Sequence, residues 1–247
     1  MKAILYAILA LLLCIWYLSP DVLEWKNQPF KTSKIIYNND NIPINWQGPP
    51  YREYVNLKQI PQKMVDAIRT TEDHRFFFHN GIDWIALTRA IKHLIKTGRK
   101  DYGASTITMQ LARNAFLSPE KTYSRKLKEL VFAIKIDALL SKTEIMELYL
   151  NMIYFGKGAY GVSAAAWRYY GKRLDKLTLA EQAMIAGIPQ APSKHNPIAN
   201  PKKALARRNF VLRKLYKHKI INRKTYIHFK KLGITAHLRS WPKRQAV

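Results

Sequence analysis

The sequence predicts a mainly α-helical protein preceded by one N-terminal transmembrane helix. Three observations carry this. From Pro61 onward apolar residues recur at helical spacing, with no period-2 strand array and no internal repeat. Capping-box patterns, Ser141-Lys-Thr-Glu144 and Thr178-Leu-Ala-Glu181, each precede a helical segment. Residues 3–20 are uncharged, and 3–18 are almost wholly apolar.

The N-terminal segment comes first. As a helix, residues 3–20 would span about 27 Å, close to a hydrocarbon core of about 30 Å. Trp16 and Tyr17 suit a membrane interface. Tyr17-Leu18-Ser19-Pro20-Asp21 offers no small-residue cleavage pattern, which favours an uncleaved anchor over a signal peptide. Lys2 and the terminal amine precede the helix, and Asp21 and Glu24 follow it. The positive-inside rule then puts the N-terminus in the cytoplasm and the rest outside the inner membrane, in the periplasm. The expected layout is a cytoplasmic N-terminus and anchor over 1–20, a linker over 21–55, a folded domain over 56–215 and a basic helical tail over 216–247.

Residues 19–55 are rich in Pro, Asn, Tyr and Trp and read as an irregular entry segment with a short strand near Lys34–Tyr37. Ile60, Met64, Ala67 and Ile68 mark one helix face. A second helix covers about 83–97, with Ile85, Ala90, Ile91, Leu94 and Ile95 apolar and Gly98 as its stop. Its other face carries Arg89, Lys92, His93 and Lys96, which fits either a membrane surface or plain solvent. Ser105 can cap a helix to about Phe116. Further helices are expected from Ser124 to about Leu140, over 143–155, over 179–187, and as one or two basic helices over 201–231. The soluble part reads as one all-α domain.

Net charge is +26, from 42 Lys and Arg against 16 Asp and Glu. The last acid is Glu181, after which sixteen Lys and Arg follow with none. Such a surface attracts polyanions, whether nucleic acid, anionic lipid or phosphorylated substrate; a solvated basic face is the plainer reading. We expect the tail to rest on anionic lipid headgroups. Cys14 is the one cysteine and lies in the apolar run, which excludes an intramolecular disulfide and a Cys-based zinc site. His74 and His79 lack zinc-site spacing.

Three stretches bear the chemistry. Glu72, in Thr70-Thr-Glu-Asp-His-Arg-Phe-Phe-Phe-His79, follows an amphipathic helix and precedes three phenylalanines. A carboxylate there could take the proton of a sugar hydroxyl as its new bond forms; the alternative is a solvated Glu72-Asp73 pair at a helix end. Gly103-Ala-Ser-Thr-Ile-Thr-Met-Gln110 places hydroxyls at a helix start, where backbone N–H groups can bind phosphate; the alternative is an ordinary capped helix. Arg113, Lys121, Arg125 and Lys126 cluster after it and could stabilise a diphosphate leaving group. Glu129, four residues after Arg125, shares a helix face with it, as in any surface ion pair.

These ordered blocks resemble the peptidoglycan glycosyltransferases of family 51, in their single-domain form. The resemblance rests on Glu72-Asp-His-Arg-Phe with His79-x-Gly81-x-Asp83, on Gly103 to Asn114, and on Arg125-Lys-x-x-Glu129. It continues through Glu144 to Asn151, Tyr154-Phe-Gly156, Gly161 and Tyr170-Gly-Lys172, and through Leu177 to Gly187 with Pro189, Pro192 and Asn196-Pro197, covering roughly residues 55–215. It implies a mainly α, lysozyme-like glycosyltransferase domain with a membrane-touching lobe. It implies polymerisation of lipid II into glycan strands outside the inner membrane, with release of polyprenyl diphosphate. Glu72 matches the base for the acceptor GlcNAc 4-hydroxyl, which attacks the anomeric carbon of the lipid-linked chain and inverts it. Glu129 matches the second family glutamate, read here as positioning cations rather than donating a proton. Ser105, Thr106, Gln110, Arg113, Asn114, Lys121, Arg125 and Lys126 match the donor-site positions. No cofactor is required on this reading, and a divalent cation, magnesium or manganese, is a candidate at the diphosphate. The implied partners are lipid II, lipid-linked glycan, anionic membrane lipids and other cell-wall synthesis proteins, with no nucleic acid.

Met109 stands where relatives usually carry Gln, Arg113 where Lys is common, and Lys121 where Arg is common. These departures touch substrate contacts rather than reaction class. Ser118-Pro-Glu-Lys121 and Lys96-Thr-Gly98 resemble penicillin-binding fragments, but in reversed order and without a Ser-x-Asn element, so no transpeptidase activity is expected. A lysozyme-like glycan hydrolase and a membrane-tethered polyanion binder are the competing readings.

Overall fold

The computed structural model describes residues 6, 10, 13–17, 19–27, 33–39, 43–47, 52–99, 103–118, 120 and 122–244. In chain order the elements are α1 (Val22–Asn27), β1 (Lys34–Tyr37), β2 (Pro43–Gln47), α2 (Gln62–Glu72), α3 (Trp84–Thr97), α4 (Ile107–Phe116), α5 (Tyr123–Leu139), α6 (Lys142–Met152), α7 (Val162–Tyr170), α8 (Leu179–Gly187), α9 (Pro201–Lys217), α10 (Arg223–Lys231) and β3 (Lys243–Arg244). Two compact units result. Unit 1 is Met1–Gln28 with Arg75–Tyr149, and unit 2 is Pro29–His74 with Leu150–Val247.

In unit 1, α4 packs on α5. Ile107, Met109, Leu111 and Ala112 are buried on one helix, and Val131, Phe132, Ala133 and Ile136 on the other. The short helix α1 falls where the sequence reads as linker. Asp21 starts it by accepting from the amides of Leu23 (2.8 Å) and Glu24 (2.9 Å), an N-cap too brief to register as periodicity. Trp25 of α1 meets Phe116 edge-on at 4.8 Å. Residues 13–17 are helical. The Lys135 ammonium from α5 donates to the carbonyls of Trp16, Ser19 and Pro20, and to the Ser19 hydroxyl at 2.6 Å. A cation there satisfies the carbonyls left open at a helix C-terminus. Residues 1–5, 7–9, 11, 12 and 18 of the expected anchor lie outside the described residues. Among the described residues, no helix is long and apolar enough to cross a membrane.

α3 starts on Asp83, whose carboxylate accepts from Ala86 N at 2.9 Å, and stops at Gly98 with φ +66. None of its residues is buried. α4 begins one residue later than expected. Thr106, not Ser105, is its N-cap, accepting from Met109 N at 3.1 Å, because Ser105 is turned toward Lys126. α5 is likewise capped by Thr122. The expected helix over 143–155 ends at Met152. Beyond it Phe155 N bonds to Ala159 O at 2.9 Å, in a turn where Gly156, Gly158 and Gly161 all have positive φ.

Unit 2 is built on α2, α8 and α9, which pack pairwise. Every residue of α8 is buried, so that helix shows no polar face in sequence. Its Thr178–Glu181 capping box forms as expected. α7 was not anticipated; its alanines are buried on all sides. The all-α expectation is corrected by a small three-stranded sheet, ordered β1-β2-β3. β1 falls on the expected Lys34–Tyr37, pairs antiparallel with β2 and is bulged at Ile36/Tyr37. β2 pairs parallel with β3, a long-range pairing invisible to local pattern. Residues 232–242 are not helical. Buried Arg208 gathers the carbonyls of Lys230, Leu232 and Gly233, and backbone bonds run from His237 N to Tyr169 O and from Arg239 N to Arg168 O, both 2.9 Å.

Candidate active site

Glu72 is the last residue of α2, in unit 2. Its side chain is only 8% exposed, and its Oε1 lies 3.2 Å from Nη2 of Arg207 on α9, itself 12% exposed. A carboxylate at a helix C-terminus faces the negative end of the helix dipole, so a buried cation beside it is what makes the position tenable. Burial pulls the Arg207 pKa down from its usual value, and the adjacent Glu72 carboxylate opposes that. Sequence reading missed Arg207, because nothing local separates it from the other cations of α9. His74 lies 5.8 Å, ring to ring, from His218.

The remaining expected residues belong to unit 1. The His79-x-Gly81-x-Asp83 motif is a structural clasp. Gly81 has φ +78, and a Cβ there would sit 2.5 Å from Ala133 O. Its carbonyl accepts from the Thr106 hydroxyl at 2.6 Å, and buried Asp83 pairs with Arg75 at 3.2 Å. Thr106 is buried, so its hydroxyl works inside the fold. Gln110 is also buried, its side-chain carbonyl accepting from Tyr149 OH at 3.1 Å. Behind them Lys142 bonds Asp137 (2.7 Å) and His79 O (2.6 Å), and Asp137 accepts from Thr108 at 3.0 Å.

Glu129 organises the cations. Its side chain is 0% exposed and accepts from Arg125 Nη1 at 2.7 Å and Lys126 Nζ at 2.6 Å. Lys126 also reaches the Ser105 hydroxyl at 3.2 Å. The structure thus joins Ser105, Arg125, Lys126 and Glu129 in one cluster. Two cations against one carboxylate leave it net positive. The Lys126 side chain is 40% exposed, and Arg125 Nε has no hydrogen-bond partner among the described residues. An anion would find fixed donors here. Arg113, at the end of α4, is half-buried, and Asn114 is exposed with its amide donating to Gln110 O at 2.7 Å. Lys121 lies outside the described residues.

No protein-only divalent-metal cage is formed by this donor set. Both Glu129 oxygens are taken by cations, and among the described residues no three His, Cys, Asp or Glu side chains are grouped to hold an ion.

The model of the transglycosylase family (Transgly) matches residues 40–216. The chain belongs to this family. Penicillin-binding protein 1A of Escherichia coli (strain K12) is 50% identical over 196 residues, 79% of this chain but 23% of that protein. Its counterpart in Vibrio cholerae is 45% identical over 207 residues, 84% of this chain and 25% of that protein. A Cupriavidus necator protein with the provisional name of transglycosylase is 49% identical over 175 residues, 70% of this chain and 75% of its own length. This transglycosylase chain therefore spans about a quarter of the length of the penicillin-binding proteins it resembles.

Proposed function

We propose that this chain polymerises peptidoglycan glycan strands, transferring the lipid-diphosphate-linked chain to the GlcNAc 4-hydroxyl of lipid II with inversion. Glu72 is the general base. As the hydroxyl oxygen bonds the anomeric carbon, its proton passes to the Glu72 carboxylate and the C1–O bond to the diphosphate breaks. The polyprenyl diphosphate leaves as a stable anion, so no general acid is needed. Arg125 and Lys126 stabilise its developing charge, with Arg113 and Lys121 as further cationic donors and Ser105 and Asn114 lining the approach, while buried Gln110 braces α4 through Tyr149. Thr106 contributes by holding the start of α4. Glu129 is the positioning residue of the cation pair, and a magnesium or manganese ion at the diphosphate would add to the same positive field.

The observation that carries this reading is the Glu129-centred pair of cations, set beside family membership. A hydrolase of neutral glycosidic bonds has no diphosphate to hold. We further propose that residues 1–20 anchor the chain in the inner membrane with the N-terminus cytoplasmic. α3 would then rest on the outer face, because Trp84, Ile85, Ile91 and Ile95 are exposed beside Arg89, Lys92 and Lys96. Transpeptidase activity forms no part of the proposed function.

The test is incubation of detergent-solubilised protein with lipid II, comparing wild type with Glu72→Gln. Polymer from wild type and none from the variant is expected. Cutting of pre-formed glycan by wild type, with no polymer, would move the assignment to the hydrolase.

A further inference from the structure

We infer that Arg207 is the positioning residue of Glu72, and that Gly187 is glycine to let the Arg207 side chain cross α8 and reach it. The inference rests on Glu72 being the general base.

The guanidinium is restrained on three sides. Nη2 meets Glu72 Oε1 at 3.2 Å. Nε meets the Gly187 carbonyl at 3.3 Å. The Phe210 ring lies 4.9 Å away, in cation–π contact. Gly187 and Arg207 come from different helices of the unit 2 core, and Glu72 from the third, so the restraints are set by tertiary packing.

Gly187 supplies an independent sign of the same design. It ends α8, a wholly buried helix, and has no positive φ. Backbone geometry therefore does not ask for glycine, which costs a helix about 1 kcal/mol relative to alanine. Space does ask for it: a Cβ there would lie 2.9 Å from Cγ of Arg207. His195 completes the seat. It is buried, and burial first, then the nearby cations Arg207 and Lys194, push its pKa down.

The consequence is mechanistic. A general base must aim a lone pair at the hydroxyl it deprotonates, and displacement by about 1 Å can slow the reaction roughly 100-fold. Arg207 holds the carboxylate from one side with a rigid fork that Lys cannot copy.

The experiment measures lipid II polymerisation by full-length Arg207→Ala, Arg207→Lys, Gly187→Ala and Glu72→Gln in detergent. We expect kcat to fall roughly 10- to 100-fold in Arg207→Ala, with KM for lipid II nearly unchanged. Millimolar guanidinium should restore part of that loss in Arg207→Ala and none in Glu72→Gln. Gly187→Ala should lose kcat in the same sense. If Arg207→Ala fails to fold by circular dichroism, Gly187→Ala and Arg207→Lys decide: a wild-type kcat in both overturns the inference. A raised KM at unchanged kcat in Arg207→Ala would make Arg207 a substrate-holding group instead, and also overturns it. Wild-type activity in Glu72→Gln would remove the base assignment itself, whereas an inactive Glu72→Gln beside a fully active Arg207→Ala would sink this inference alone.

Discussion

Arg125 and Glu129 meet at 2.7 Å with the carboxylate wholly out of solvent. The i,i+4 spacing that reads in sequence as a surface pair worth a few tenths of a kcal/mol is instead a buried one. Lys126 takes the second oxygen, so the carboxylate fixes two cations at once. A charge so placed cannot be removed cheaply.

Glu129→Gln keeps the volume and deletes the charge, leaving two cations facing each other. We expect a loss of about 3 kcal/mol and a fall in polymerisation of at least about tenfold. Thermal unfolding and lipid II turnover on the same preparation check this. Wild-type values in both would mean that the carboxylate neither braces the cluster nor supports the reaction.

Gly81→Ala places a methyl on a residue at φ +78, 2.5 Å from Ala133 O. Backbone must shift, and the Thr106–Gly81 bond at the start of α4 shifts with it. Destabilisation on the order of 3 kcal/mol is expected, a Tm drop of roughly 6–12 °C. A Tm within a degree of wild type would refute the clasp.

Membrane contact should depend on the exposed apolar residues of α3, of which Ile95 is 80% exposed, and on Phe78 before it, 78% exposed. In a soluble form lacking residues 1–20, Ile85→Glu with Ile95→Glu should weaken partitioning onto anionic vesicles at least about a hundredfold, since each buried isoleucine contributes roughly 1.5–3 kcal/mol. Unchanged recovery would leave α3 an ordinary surface helix.

Acid stability should carry the signature of Glu144. Hydrogen bonds from Lys26 first, and then from Ser141, hold its pKa down from 4.5 to about 2. A depressed carboxylate stabilises the fold above its unfolded pKa. Its contribution is therefore full above about pH 4.5 and lost as the pH falls toward 2. Glu144→Gln should lower Tm at neutral pH and converge on wild type near pH 2. A constant gap across that range would assign the effect to packing rather than charge.

Most helices were legible because their signals are local. Thr178 and Glu181 lie three residues apart, and their capping box forms as written. Gly98 stops α3 as expected. Boundaries slipped where two neighbours competed for one role, as when Thr106 took the cap and Ser105 turned to Lys126. α7 was missed because a helix buried on most sides lacks the polar face that reveals periodicity.

By itself, then, the sequence determined the helical class, the order of the motif blocks and the placing of Arg125 and Glu129 on one helix face, all expressed within a few turns of chain. Tertiary structure decided which of those charges are buried, and it paired Glu72 with Arg207 across 135 residues. Repeating patterns report which residues share a helix face. They cannot report which face of another helix is brought against it, and the partner across that contact sets the environment of a buried charge.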